Sequence, residues 1–180
     1  MCGGRGTRLG TTTEKPLVTI GGEAMVDHVL DALAASRIES VYAVTSPAAP
    51  DTAAHVDCPT VETPGEGYVA DLQRALADDR VNRPVLTVAA DLPLLDGDAV
   101  DTVCNEARGT LTVAVPVGRK RGLGVSVDTQ FRHGGVAVTP AGINVVGDGP
   151  ERVWVTRDRR FAVNVNHGGD ARRCRWLVHP

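Results

Sequence analysis

The chain has 180 residues, 42% of them hydrophobic, and a formal net charge of −3. That length suits a single domain over residues 1–180 with a core of ordinary size. No apolar run is long enough for a membrane span and no secretory pattern is seen, so the expectation is a soluble cytoplasmic protein. Four cysteines (Cys2, Cys58, Cys104 and Cys174) are widely spaced without a C-x-x-C pair. They read as cytosolic thiols packed as small hydrophobes, not as a disulfide framework or zinc site.

The charge is unevenly placed. Residues 1–151 hold twelve Lys+Arg and twenty Asp+Glu, a sum of −8; residues 152–180 hold seven Arg and two Asp, a sum of +5. A basic tail suggests nucleic acid. Among Arg157, Arg159, Arg160, Arg172, Arg173 and Arg175, however, only Phe161 offers a stacking ring. These arginines therefore read as a solvated face or one turned to an anionic substrate, with no nucleic-acid partner. Lys15 and Lys120 are the only lysines. Such arginine-rich usage, with abundant Asp, Ala, Val and Thr, hints at a halophilic archaeon, a hint the small net charge weakens.

Residues 1–16 organise the rest: Met1-Cys2-Gly3-Gly4-Arg5-Gly6-Thr7-Arg8-Leu9-Gly10, then Thr11 to Lys15-Pro16. Gly3, Gly4 and Gly6 leave room for a ligand against the main chain. Arg8 and Lys15 add two positive charges. A glycine turn with exposed N–H groups followed by cations is a polyphosphate site, and the plain alternative is a basic surface turn. It is neither a Walker A loop nor a dinucleotide fingerprint, because the required G-K-[ST] and third glycine are absent.

Further along, Met25, Val26, Val29, Leu30 and Leu33 predict a core helix over 24–36. His28 on it reads as a solvated histidine. Ser40–Thr45 predicts a strand stopped by Pro47 and Pro50, and Thr60–Glu62 another. Thr63-Pro64-Gly65-Glu66-Gly67-Tyr68 is a second glycine turn opening a helix over 67–79. It reads equally as a base or phosphate rest and as an ordinary connection. Pro84–Ala90 predicts a buried parallel strand with Asp91 at its carboxyl end. A carboxylate there is costly unless paired or bound to metal, and ligands bind beyond such strand ends. A divalent cation bridging Asp91 and a triphosphate would satisfy it; Asp91 capping the next turn is the alternative.

A helix over 96–108, a strand over 111–116, a basic loop over 118–122 and a hairpin over 125–138 follow. Residues 139–146 predict a turn with a strand, 153–155 and 161–166 the last strands, and 170–178 a short helix. This order gives an α/β fold, doubly wound around a mostly parallel, Rossmann-like sheet, with a small antiparallel excursion over 118–146.

The stretch G-G-x-G-T-R-[LM]-G-x-x-x-x-K-P resembles the nucleotidyltransferase superfamily of the sugar-1-phosphate, molybdopterin and methylerythritol-phosphate enzymes. Thr63–Leu72, Pro140–Val146 and Phe161–Asn166 resemble the archaeal GTP:adenosylcobinamide-phosphate guanylyltransferase family. The resemblance implies transfer of GMP from GTP to a phosphorylated corrinoid in cobalamin biosynthesis, with release of pyrophosphate. It implies that Gly3, Gly4, Gly6, Thr7, Arg8 and Lys15 hold the triphosphate, with Arg8, Lys15 and Asp91 catalytic. Gly65 and Gly67 would lie near guanine and ribose. Asp91 and Asn166 would hold Mg²⁺, and Gly142 and Asn144 would line the acceptor side.

In the superfamily the loop follows a buried first strand. Here only Met1-Cys2 stands for it, so the expectation is either a start several codons upstream or an unstable fragment. His167-Gly168-Gly169-Asp170-Ala171 departs from the relatives' T-x-x-D-L, which predicts a poorly started last helix. Alternatives are a molybdenum-cofactor guanylyltransferase, a sugar-phosphate nucleotidyltransferase, or a GTP-binding module without chemistry. The reading allows a homodimer.

Overall fold

The computed structural model describes residues 1–3 and 9–178. Gly4, Gly6, Thr7 and Arg8, four of the residues expected at the phosphates, lie outside the described residues.

A 3₁₀ turn at Lys15–Leu17 leads into an antiparallel ribbon of β1 (Thr19–Ile20) and β2 (Glu23–Ala24). In α1 (Met25–Ala34), buried Met25, Val26, Val29, Ala32 and Leu33 form one stripe at helical spacing. His28 on this helix is not solvated. Its side chain is 16% exposed, with Nε2 2.9 Å from the Ile20 carbonyl and Nδ1 3.2 Å from Glu23. β3 (Ala43–Thr45) pairs in parallel with β4 (Thr60–Glu62).

Between them runs α2 (Pro50–His55), where the sequence suggested only a stop. Pro50 occupies the first helical turn, where the missing N–H costs nothing. The Glu14 carboxylate accepts from Asp51 N, Thr52 N and Thr52 Oγ1 at 2.9, 2.7 and 2.6 Å. Glu14 thereby ties the residue before Lys15 to the start of α2.

α3 (Tyr68–Leu76) and β5 (Val85–Val88) follow. α4 (Gly97–Glu106) is capped by Asp96, which accepts from Ala99 N at 2.8 Å. Then come β6 (Leu111–Pro116), α5 (Val117–Gly122), β7 (Phe131–His133), β8 (Val136–Val146), β9 (Arg152–Val155), α6 (Arg159–Ala162) and α7 (Gly168–Val178). The main sheet has the order β5-β8-β6-β9, with β7 on β8. β8 runs antiparallel to β5 and β6, whereas β9 is parallel to β6, so β5, β6 and β9 share one direction. The α/β fold with mostly parallel strands is the one adopted, and β7–β8 is its antiparallel excursion.

Several local expectations change. Residues 118–122 are helical, within α5, instead of a loop, and Lys120 is buried among them. Residues 139–146 are the far half of one long strand. Gly142 stays in it at φ +83°, and the pairing with β6 shifts between Thr112 and Ala114, which absorbs the irregularity as a bulge. Phe161 and Ala162 end α6 instead of beginning a strand, because Asp158 caps that turn by accepting from Arg160 N. Residues 163–166 then join no ladder. Arg160 is no solvated arginine either. It bridges Asp96 and Asp158, each at 2.6 Å.

The last helix starts well. The Asp170 carboxylate, 2% exposed, accepts from Ser126 N, Ser126 Oγ, Asn166 N and His167 N between 2.7 and 3.1 Å. Burial pushes this carboxyl up, but those hydrogen bonds outweigh it and hold it below its ordinary value. All four cysteines are thiols, and burial pushes Cys174 up to about 12. Among the described residues no helix is long and apolar enough to cross a membrane.

Met1 and Cys2 lie between β3 and β5. Met1 N donates to Val88 O at 2.9 Å, Ala90 N to Met1 O at 3.4 Å and Cys2 N to Val44 O at 2.8 Å. The alternation of donor and acceptor at Met1 is that of a parallel ladder with β5. Beside these two residues opens an apolar slot of about 610 Å³, lined by Leu30, Leu33, Val44, Leu72, Leu76 and Leu86.

Candidate functional site

Lys15 follows the glycine-rich stretch on the 3₁₀ turn and reaches across to the end of β5. Its Nζ donates to Asp91 Oδ2 at 2.6 Å and to Asn166 Oδ1 at 2.7 Å. Asn166 is brought there by the backbone, since Val165 N donates to the Asp91 carbonyl at 3.0 Å. Two expected metal holders are thus gathered around one ammonium.

Asp91 Oδ1 is fully buried and has no hydrogen-bond partner among the described residues. An unpaired anionic oxygen in the interior costs more than a surface one, and a cation removes the cost. The oxygen donors Asp91 and Asn166 are hard ligands of the kind a small divalent cation takes, so these residues fit such an ion. Among the described residues no cluster of three or more His, Cys, Asp or Glu would hold a metal by itself. An ion here would keep positions for substrate oxygens.

Two glycine turns meet on one small residue. A Cβ on Gly3 would come 3.0 Å from the Cβ and Oγ of Ser46, and one on Gly65 3.2 Å from the same atoms. Ser46, 5% exposed, also donates through Oγ to the Gly3 carbonyl at 2.7 Å. Gly65 and Gly67 have φ of +77° and +117°, a region that favours glycine. Between these turns and Asp91 lies a cleft of about 370 Å³, lined by Gly3, Lys15, Gly65, Gly67, Asp71 and Asp91 among others.

On the other side of Asp91, a Cβ on Gly142 would lie 3.9 Å from Oδ1 and 3.2 Å from the Ala89 Cβ. Two residues on, Asn144 Nδ2 donates to the Tyr68 hydroxyl at 3.5 Å. Of the residues singled out from the sequence, Gly3, Lys15, Gly65, Gly67 and Asp91 share one cleft. Asn166 joins them through Lys15, and Gly142 and Asn144 border its rim.

Residues 1–160 match the MobA-like NTP transferase domain family. The chain belongs to that family. It is 28% identical to an adenosylcobinamide-phosphate guanylyltransferase of Methanocaldococcus jannaschii, over 91% of this chain and 89% of the relative. It is similar to the structure of a hypothetical transferase from Thermus thermophilus, with a TM-score of 0.60 and 25% identity, over 82% of this chain. The chain spans 63% of that transferase's length. It also resembles a putative glucose-1-phosphate thymidylyltransferase from Bacillus anthracis, with a TM-score of 0.61 and 16% identity, over 81% of this chain and 69% of that one; at this identity the likeness concerns the fold.

In this NTP transferase the structure adds residues the sequence did not single out. Lys120 Nζ donates to Asn164 Oδ1. Val163 and Val165 are buried in the core, so Asn164 and Asn166 alternate onto the opposite face, each holding one of the two lysines. Burial pulls the Lys120 ammonium below its ordinary value, against the pull of Asp170, Asp91 and Asp128. The V-N-V-N alternation was readable, but nothing in the sequence paired Asn164 with a lysine 44 positions away. Ser46 carried no motif, and Asp71, though inside the Thr63–Leu72 stretch, was given no role.

Proposed function

We propose that the chain transfers GMP from GTP to adenosylcobinamide phosphate, giving adenosylcobinamide-GDP and pyrophosphate in cobalamin assembly. The observation that carries the reading is the Lys15–Asp91–Asn166 cluster with its unpaired Asp91 oxygen at one end of a glycine-rimmed cleft. The printed name of the Methanocaldococcus relative supports the choice of acceptor.

The acceptor's phosphate oxygen is already an anion near pH 7, so no strong general base is required. It forms a bond to the α-phosphorus of GTP while the bond from that phosphorus to the β-bridging oxygen breaks. The chain must bring two anions together and offset the charge that builds on pyrophosphate. Lys15 supplies one fixed cation, and Arg8 supplies a second by its place in the motif. By their place in the motif, Gly3, Gly4, Gly6 and Thr7 would hold the triphosphate. Asp91 and Asn166 would hold Mg²⁺, which would supply further charge neutralisation. Gly65 and Gly67 make room for the nucleoside, and Gly142 and Asn144 face the acceptor.

The test is pyrophosphate release from GTP with Mg²⁺ and adenosylcobinamide phosphate. Release that depends on this acceptor is expected, and Lys15→Ala should slow it about 10²–10³-fold. Release with molybdopterin or a sugar phosphate instead would move the acceptor. GTP binding without release, across a panel of acceptors, would leave a binding module.

A further inference from the structure

We infer that Asp71 reads the base. It accepts the two N–H donors on the Watson–Crick edge of guanine and so selects GTP. The inference rests on the proposed nucleotide reading of the cleft.

Asp71 sits in the first turn of α3 and is 7% exposed, yet it lines the cleft. Its Oδ1 accepts the Gly65 N–H at 2.9 Å, which pins the glycine turn. Among the described residues nothing donates to Oδ2. Holding the Gly65 turn explains one oxygen and leaves the other unaccounted for. A carboxylate nine-tenths buried and turned to a cleft calls for a donor from the ligand.

The position suits a base. Lys15 and Asp91 mark the phosphate end of the cleft, and Asp71 lies at the glycine turn beyond it. Nothing lies within 4 Å of where a Cβ on Gly67 would be, so a flat ring can rest on that backbone. Tyr68, 46% exposed, stands beside it as an aromatic wall.

The chemistry then separates the bases. Guanine offers N1–H and the N2 amine side by side, and a carboxylate accepts both. Adenine and cytosine each set a ring-nitrogen acceptor beside their amine, which would face the carboxylate. Hypoxanthine keeps N1–H but lacks the amine. Xanthine keeps N1–H but carries an oxygen where guanine carries the amine.

The experiment is equilibrium binding of GTP, ITP and XTP to the wild type and to Asp71→Asn, with GTP turnover followed separately. Asparagine can keep Oδ1 on the Gly65 N–H and turn its amide nitrogen to the base. The wild type should prefer GTP over ITP roughly tenfold to a hundredfold, the weight of one hydrogen bond to a charged group. Asp71→Asn should erase that preference and gain XTP binding, a gain that neither misfolding nor a loosened turn produces. Equal wild-type affinity for GTP and ITP would overturn the role of Asp71 while leaving the transfer reading intact. A variant that keeps the wild-type GTP-to-ITP ratio would overturn it too. Absence of binding by any of the three nucleotides would overturn both.

Discussion

The two cavities beside Met1 and Cys2 differ in kind. The slot between β3 and β5 is the larger, about 610 Å³, and its walls are mostly leucine, valine and other apolar residues, with Arg37, Glu39 and Arg80 among them. The cleft holds about 370 Å³ and carries Lys15, Asp71 and Asp91. Size alone points to the slot. Yet among the described residues the slot holds no orphaned oxygen, whereas the cleft has Gly65, Gly67 and the unpaired Asp91 Oδ1 at its edge. A cavity built for packing is apolar and silent; a cavity built for chemistry keeps unsatisfied charge that a folded protein would otherwise avoid. The two should therefore respond to opposite perturbations.

The largest effect belongs to the cleft. Asp91→Ala should cut pyrophosphate release about 10³-fold, since it removes a charged group that also fixes Lys15. Its thermal unfolding should move little, because the lost partner is a polar pair at a cleft wall. A fall in stability that matches the fall in rate would make Asp91 a packing residue and erase the contrast.

The slot should show the reverse. Its two facing strand edges, already joined at one end by Met1 and Cys2, suit a further apolar strand. Lengthening the N-terminus by four alternating Val and Leu residues should raise stability by on the order of 2–4 kcal/mol after the cost of ordering them. A Gly/Ser extension of equal length should do nothing. The preference among nucleotides should stay as it was. Denaturant midpoints of the two extensions measure this, and equal midpoints would show that the slot does not accept a strand.

How much of this was legible follows from the range of the interactions. The glycine turns, the strand ending at Asp91 and the α1 stripe are local patterns, and they were read from spacing. The pairing of Lys15 with Asp91 and Asn166 spans 76 and 151 positions, and only the family resemblance brought those residues together. Lys120 misled because five basic and glycine residues in a row look like a solvated loop. The burial of its side chain within α5 is a tertiary fact. Ser46 and Asp71 were missed because each acts through a contact with a glycine, and a glycine's neighbours leave no mark in composition. The last helix was misjudged for the same reason. Its start depends on Ser126, 44 positions away, not on the residues beside it.

That last contact gives the smallest effect and separates the two regions by pH. Asp170 holds Asn166 and His167 in place, so it belongs with the cleft. Its folded carboxyl lies below the ordinary value near 3.8, so the unfolded chain takes up the proton first as pH falls. The stabilisation is therefore complete above about pH 4 and is lost as pH drops from there through the folded value. A contribution of about 1.5–3 kcal/mol is expected for hydrogen bonds to a buried charge. Asp170→Asn should lower stability by part of that at pH 7 and flatten the acid limb of the stability curve. The Val/Leu extension should instead raise the whole curve without changing that limb. If the extension flattened it and Asp170→Asn did not, the acid sensitivity would belong to the slot and the division between the two regions would fail.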